Sequence, residues 1–252
     1  MEGMIDSHAH ICGKDLFPKW REAAAGAKSS GIEKIMIICR DTEEARRVIS
    51  MAEEEPMFDV AFGYSPNDVL KIGDREWKEL RELVKAPCVK AVGSIGMDYF
   101  FYETIVPKVL QKEMFIRQLH MANELGKPAV IHMRMAAEDT RRYIKGHLKV
   151  PGVVHGYSGG YKLMKDFLDI GMYLSFSGRA FMEASEENTR KVIRDMPLDR
   201  LLVESNGVFG ASAASGQAEH LSHIIDDICT LRGMEKEALT AAIRDNYGRL
   251  FS

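Results

Sequence analysis

The stretch Met4-Ile5-Asp6-Ser7-His8-Ala9-His10-Ile11, flanked by Gly3 and Gly13, is short and largely apolar, and it predicts a buried strand that opens the fold. Alternate side chains of a strand share a face, so His8 and His10 point the same way and Asp6 joins them. Two neutral imidazoles at this spacing suit a divalent cation such as zinc, nickel, manganese or iron. On this motif alone, two histidines that bond only to backbone groups remain an equal alternative.

The composition is that of a soluble globular protein with a sizeable core. The chain has 252 residues, of which 46% are hydrophobic and 28% charged, and its formal net charge of -3 offers no overall basic surface for nucleic acid. The scattered cysteines favour reduced thiols, no apolar run approaches the roughly 18 residues of a membrane span, and the first residues lack the order of a signal peptide. We therefore expect a cytoplasmic protein. The four cysteines are Cys12, Cys39, Cys88 and Cys229.

Further apolar runs alternate with segments of helical periodicity along the whole chain. After the first run, strands are predicted at 34–40, 59–65, 89–96, 128–133, 152–157, 172–176 and 200–205. Helices are predicted at 14–30, 42–55, 74–85, 107–125, before His147, at 218–231 and at 236–250.

This alternation predicts an α/β protein, a (β/α)8 TIM barrel formed as a single domain over residues 1–252. An open, doubly wound sheet is the competing architecture. The barrel is preferred because candidate ligands end several non-adjacent strands, and only a closed ring would bring these together. The small-residue loop 207–216 is either a lid over the barrel mouth or, more simply, a slack connection.

Two later histidines fall on predicted strands near the same face. His132 ends the fifth predicted strand and His155 lies within the sixth. A single strand histidine is more often a hydrogen-bonded core residue than a ligand, but four on three strands are hard to explain by packing alone. We predict that His8, His10, His132 and His155 bind metal. The remaining histidines, in helical segments, are interpreted as solvated or structural: His120, His147, His220 and His223.

Several of these motifs together resemble the TatD family of metal-dependent hydrolases, within the amidohydrolase-like superfamily of barrels. They follow the family's order over essentially the whole chain. The matching stretches are residues 5–10 (IDSHAH), 93–99 (GSIGMDY), 128–134 (PAVIHMR), 152–159 (GVVHGYSG), 201–206 (LLVESN) and 246–251 (NYGRLF).

The resemblance implies two adjacent metal sites and a water molecule activated by the cations as the nucleophile. In such enzymes the His-x-His pair and an aspartate after strand eight hold one ion, the histidines of strands five and six hold the other, and a glutamate on strand four bridges them. All four histidines are retained. Ser94 stands where the family has the glutamate, Asn206 where it has the aspartate, and Ser65 where it has the histidine of a His-Pro pair.

The two missing acids have physical consequences. Two dications a few ångströms apart repel each other, and anionic ligands must offset that repulsion, so we expect one divalent ion (zinc, manganese, nickel or magnesium) rather than two. Asn206 can offer an amide oxygen but cannot accept a proton, and Ser94 would reach a metal only through water. These two residues hold the catalytic positions. Three other carboxylates could stand in for the missing acids. Glu204 is expected in a supporting role, Asp98 could swing inward toward the metal, and Asp6 is expected to accept a hydrogen bond that orients an imidazole.

Substrate binding is assigned to Arg134 and Asp98. Arg134 shares a face with His132 and, with Arg179 after strand seven, could pair with a phosphate or carboxylate. A solvated Arg179 is an equal alternative.

Three functions follow. The first is a metal-dependent hydrolase of phosphoesters, a small molecule or a nucleic acid, with DNA as the substrate class best known in the family. The second is an inactive relative that binds a metal or small ligand, which Ser94 and Asn206 favour. The third is an amide or lactone hydrolase with one metal. No membrane association and no stable protein partner are predicted, and the sequence has no Gly-x-Ser-x-Gly elbow or P-loop.

Overall fold

Eight parallel strands form one sheet in the order of the sequence and curl into a nearly closed barrel, in a computed structural model that describes residues 3–10, 17–100, 106–178, 186–207 and 214–252. The predicted (β/α)8 TIM barrel is therefore confirmed. The strands are β1 (Met4–Ala9), β2 (Ile32–Cys39), β3 (Phe58–Phe62), β4 (Val89–Asp98), β5 (Ala129–Arg134), β6 (Gly152–Val154), β7 (Met172–Phe176) and β8 (Leu201–Val203).

Helices follow the strands around the outside of the barrel. They are α1 (Trp20–Ser29), α2 (Thr42–Glu54), α3 (Asp74–Leu83), α4 (Lys108–Leu125), α5 (Ala137–His147), α6 (Tyr161–Leu168), α7 (Glu186–Asp195), α8 (Ala214–Arg232) and α9 (Lys236–Phe251). Asp41 caps α2 through a 2.8 Å bond from the Glu44 N–H, and Gly126 ends α4 in the left-handed conformation.

Two helices were not predicted. α6 has only eight residues and begins after Gly160, without a side-chain cap, and α7 is rich in charge. Cys12, Arg179 and most of the small-residue loop 207–216 lie outside the described residues. No helix in the described ranges is both long and apolar enough to cross a membrane.

Backbone bonds join the last strand to the first at the carboxyl ends of the strands. The Asn206 N–H donates to the His8 carbonyl at 3.0 Å, and the His10 N–H donates to the Gly207 carbonyl at 2.9 Å. Asn206 has a φ of 49°, a left-handed conformation that asparagine adopts more readily than most residues. Barrel closure therefore places Asn206 beside the His-x-His motif.

β4 and β5 approach each other closely where the two strands carry site residues. Gly96 pairs with His132 and Asp98 with Arg134. A Cβ at Gly96, whose φ is 146°, would overlap the His132 carbonyl oxygen, so only glycine allows this approach. Two sequence predictions need correction here: Asp98 ends β4 instead of following it, and His155 lies one residue beyond β6 instead of within it.

Candidate metal centre

The structure brings the four predicted metal-binding histidines together at the open end of the barrel. The ring centroids of His8 and His10 are 5.1 Å apart, those of His8 and His155 are 3.8 Å apart, and those of His132 and His155 are 5.4 Å apart. Segments more than 120 residues apart in the sequence therefore supply one cluster of imidazoles.

Two of these imidazoles lie between two carboxylates. His132 Nε2 is 3.1 Å from Asp98 Oδ2, His132 Nδ1 is 3.3 Å from His155 Nε2, and His155 Nδ1 is 3.4 Å from Glu204 Oε1. When both imidazoles are neutral they have one N–H each, and bonding to both carboxylates uses both N–H groups. The two nitrogens in the middle then face each other with lone pairs and no proton.

A cation resolves this arrangement. Two nitrogens bound to one tetrahedral ion at about 2.0–2.1 Å lie about 3.3 Å apart, which matches the separation of His132 Nδ1 and His155 Nε2. Histidines that bind a metal commonly donate their other N–H to a carboxylate, and here the other nitrogen of each ring lies within 3.4 Å of a carboxylate oxygen. The donor set of this site therefore fits a divalent metal ion.

Other atoms of the cluster lack hydrogen-bond partners. His8 Nδ1, His10 Nδ1 and Glu204 Oε2 are buried and unpaired. Ligand atoms of His8, His155 and Glu204 lie within 4.8 Å of one another. The His8 and His155 rings, however, stack with planes 14° apart, so their in-plane lone pairs do not converge. One of these two rings would have to turn before both could bind the same ion, whereas His132 and His155 already have two nitrogens 3.3 Å apart.

Burial favours the neutral form of three of the histidines, His8, His10 and His132. It lowers the pKa of His8 well below the ordinary value and that of His10 to about 4. Burial also lowers the pKa of His132, although the hydrogen bond to Asp98 opposes the change. Neutral imidazole is the form that binds metal, so these three residues stay competent for binding into mildly acidic solution.

Asp6 does not orient an imidazole, contrary to its predicted role. Its Oδ1 accepts the backbone N–H groups of His8 (3.2 Å) and Ser205 (2.9 Å), and its Oδ2 accepts Gln217 Nε2 at 2.6 Å. Burial raises the pKa of Asp6 to about 6, although these bonds oppose the rise. Gln217 was missed by sequence reasoning because its only signal is its position near the start of α8.

Two cavities open at this end of the barrel. The smaller, of about 230 Å³, is lined by His8, His10, Ser65, Ser94 and Arg40, a residue that sequence reasoning missed. The larger, of about 400 Å³, is lined in part by Arg134 and Phe100. His132, His155 and Asn206 line both cavities.

Arg134 lines the larger cavity, whereas Asp98 is in the lining of neither cavity. It is 2% exposed and lies against His132, and its Oδ1 accepts the Phe100 N–H at 2.9 Å. Burial acts to raise the pKa of Asp98, but the bonds from His132 and Phe100 lower it below the ordinary value. Asp98 is therefore a charged acceptor for His132, and its assignment to substrate binding stays a prediction.

Comparison with known proteins connects this site to one family. The family model described as TatD related DNase matches residues 5–252. Among curated proteins, the uncharacterized metal-dependent hydrolase YabD of Bacillus subtilis is 27% identical over 98% of both chains. YcfH of Escherichia coli, named in the same way, is 28% identical over 98% of this chain and 95% of its own.

Solved structures agree with the fold. YjjV, a TatD homologue from Escherichia coli, superposes with a TM-score of 0.87 at 26% identity, over 98% of this chain and 97% of its own. A TatD-family hydrolase from Entamoeba histolytica reaches 0.84 at 16% identity, over 99% and 98% of the two chains.

Proposed function

The chain belongs to the family of TatD-related DNases, and on that premise we propose that it is a metal-dependent hydrolase that cleaves phosphoester bonds with one divalent ion at the mouth of the barrel. The curated relatives are named metal-dependent hydrolases, which supports this reaction class. Zinc, manganese, nickel and magnesium are the candidate ions.

One observation carries the proposal. The facing nitrogens of His132 and His155, 3.3 Å apart and each backed by a buried carboxylate, form a binding site for a cation. Ser94 and Asn206 bring no charge to the cavity wall, so a second ion close by would lack an anionic ligand at either position. A single ion is the consistent occupancy.

The residues around the ion have separate roles in binding and orienting the substrate. A divalent ion at this place supplies Lewis acidity toward a phosphoryl oxygen and toward water. Arg134, at the wall of the larger cavity, pairs with the phosphate. Asn206 orients the reactants through its amide, and the buried Glu204 holds His155 in place through the contact between its Oε1 and His155 Nδ1.

Metal content and turnover measured on the same preparation test this proposal. We expect close to one ion per chain by elemental analysis, and hydrolysis of a chromogenic phosphodiester with added manganese, zinc or nickel. His132→Ala should lose both, whereas His223→Ala, an exposed residue of α8, should lose neither. Stoichiometric metal without turnover on any phosphoester would instead identify an inactive relative that binds metal. A chain without metal would overturn the proposal.

DNA is the substrate suggested by the family description, and a plasmid-nicking assay tests it directly. The net charge of -3 provides no general attraction to a polyanion. Turnover of small phosphodiesters without nicking would place the activity on small molecules.

A further inference from the structure

The larger cavity has two chemically different walls. His132, His155 and Asn206 lie at the reacting end, and Ser158 and Ser177 add hydroxyl groups. The apolar side chains of the lining are those of Phe100, Met133, Met135, Ala137 and Leu163, which together we call the apolar wall. A volume of about 400 Å³ is that of a site for a small molecule.

Two members of the apolar wall are unusually exposed. Met135 is 74% exposed and Phe100 is 50% exposed. They are two of only five large hydrophobic residues exposed within the part of the chain that the structure describes. Exposed apolar side chains that gather at one concave site, instead of scattering over the surface, mark a place where a ligand covers them.

The backbone at Met135 supports the same interpretation. Its φ of 52° is in the left-handed region. Glycine, asparagine and aspartate adopt this conformation most readily, and methionine adopts it rarely. Such a conformation costs free energy, and residues that keep it cluster at binding and catalytic sites. Here it turns the chain immediately after β5 and leaves the methionine at the rim of the cavity.

Arg134 joins the apolar wall to the charged part of the cavity. Its guanidinium carbon lies 3.9 Å from the centre of the Phe100 ring, in a cation–π contact. The cation that would pair with a phosphate is therefore held directly against the aromatic surface. A ligand bound to Arg134 has its neighbouring substituent within reach of Phe100 and Met135.

From this arrangement we infer that the substrate is a small phosphoester whose second substituent is apolar, an aryl or alkyl group that rests on the apolar wall. Phe100 and Met135 are the residues that determine this specificity. The inference rests on the proposed phosphoester hydrolysis and adds to it the chemistry of the part of the substrate that does not react. A phosphoester whose second substituent is very small or strongly polar leaves the apolar wall in contact with water and binds more weakly.

Binding of two stable phosphonates to the metal-loaded protein tests the inference without turnover. Titration calorimetry should find phenylphosphonate bound at least about tenfold more tightly than methylphosphonate, since the aryl group removes more apolar surface from water. The double variant Phe100→Ala, Met135→Gln should reduce this ratio to about twofold, and comparing a ratio cancels any loss of Arg134 positioning, because both phosphonates would lose the same contact. Leu70→Gln, which changes an exposed apolar residue outside both cavities, should leave the ratio intact.

The outcomes separate this inference from the function on which it rests. Two phosphonates that bind equally well to the unaltered protein would overturn the apolar-substituent assignment and leave phosphoester hydrolysis standing. Failure of both phosphonates to bind would count against phosphoester recognition itself. An unchanged ratio in the double variant would show that Phe100 and Met135 do not select the substituent.

Discussion

Ser94 and Asn206 leave the site with neutral groups at two positions where carboxylates would balance a second cation. Ser94→Glu combined with Asn206→Asp should therefore raise metal content from about one to about two ions per chain, because the added charges offset repulsion between the ions. Elemental analysis of the purified double variant measures this. Ser94 is largely buried, so the new glutamate should also make thermal stability depend on metal.

The single variants are the controls for that experiment. Ser94→Glu alone supplies one acid and should raise occupancy less than the pair. A double variant that keeps one ion per chain would indicate that the positions of His8 and His10 no longer support a second site.

The support that the Asp98 carboxylate gives to His132 can be tested by a single substitution. Asp98→Asn keeps the size of the side chain but removes the charge that accepts the His132 N–H. Loss of a carboxylate behind a metal-binding histidine typically weakens metal affinity about 10–100-fold. Competition with a fluorescent chelator measures the change, and Asp227→Asn, on the exposed surface of α8, should show none. Equal affinities for the two variants would rule out a supporting role for Asp98.

At the scale of elements, the contact between β4 and β5 holds Asp98 against His132. Gly96→Ala would drive a methyl group into the His132 carbonyl and strain a positive φ, so we expect a loss of about 2–4 kcal/mol in the free energy of unfolding. Urea denaturation measures this, and metal affinity should fall with it. In Gly146→Ala, on α5, the new methyl group meets no atom within 4 Å and should stabilise the protein by up to about 1 kcal/mol.

The elements also show what the sequence could predict. Strands buried on both faces, such as β2 and β7, have continuous apolar runs, and α2 and α4 have capping signals, so their positions were predicted closely. α6 is short and lacks a side-chain cap, so the local sequence contains no capping signal that predicts a helix there.

Within the site, the meeting of four histidines followed from strand order, because the carboxyl ends of strands in a closed barrel share one face. The ring angles did not follow. The stacking of His8 on His155 and the 3.3 Å approach of His132 Nδ1 to His155 Nε2 depend on contacts between distant parts of the chain. The bond from Gln217 to Asp6 likewise joins residues 211 positions apart in the chain.

Over the whole molecule, buried ionisable groups at the barrel mouth make stability depend on pH. The folded protein keeps His8, His10 and His132 neutral at pH values where the unfolded chain protonates them. The unfolded state then binds more protons, so stability is complete above about pH 6.5 and falls as the pH decreases. Asp6 acts in the opposite direction between about pH 6 and 4, because its pKa is higher in the folded state.

Metal-free protein should therefore lose stability between about pH 7 and pH 5. A pKa of about 4 in the fold makes His10 alone contribute a loss of about 2 kcal/mol, and the opposing gain from Asp6 is about 1 kcal/mol. With His8 and His132 added, the loss dominates. Urea unfolding at the two pH values measures it, and His10→Asn should reduce the difference. A metal-free protein that is equally stable at both pH values would contradict the burial of these imidazoles in neutral form.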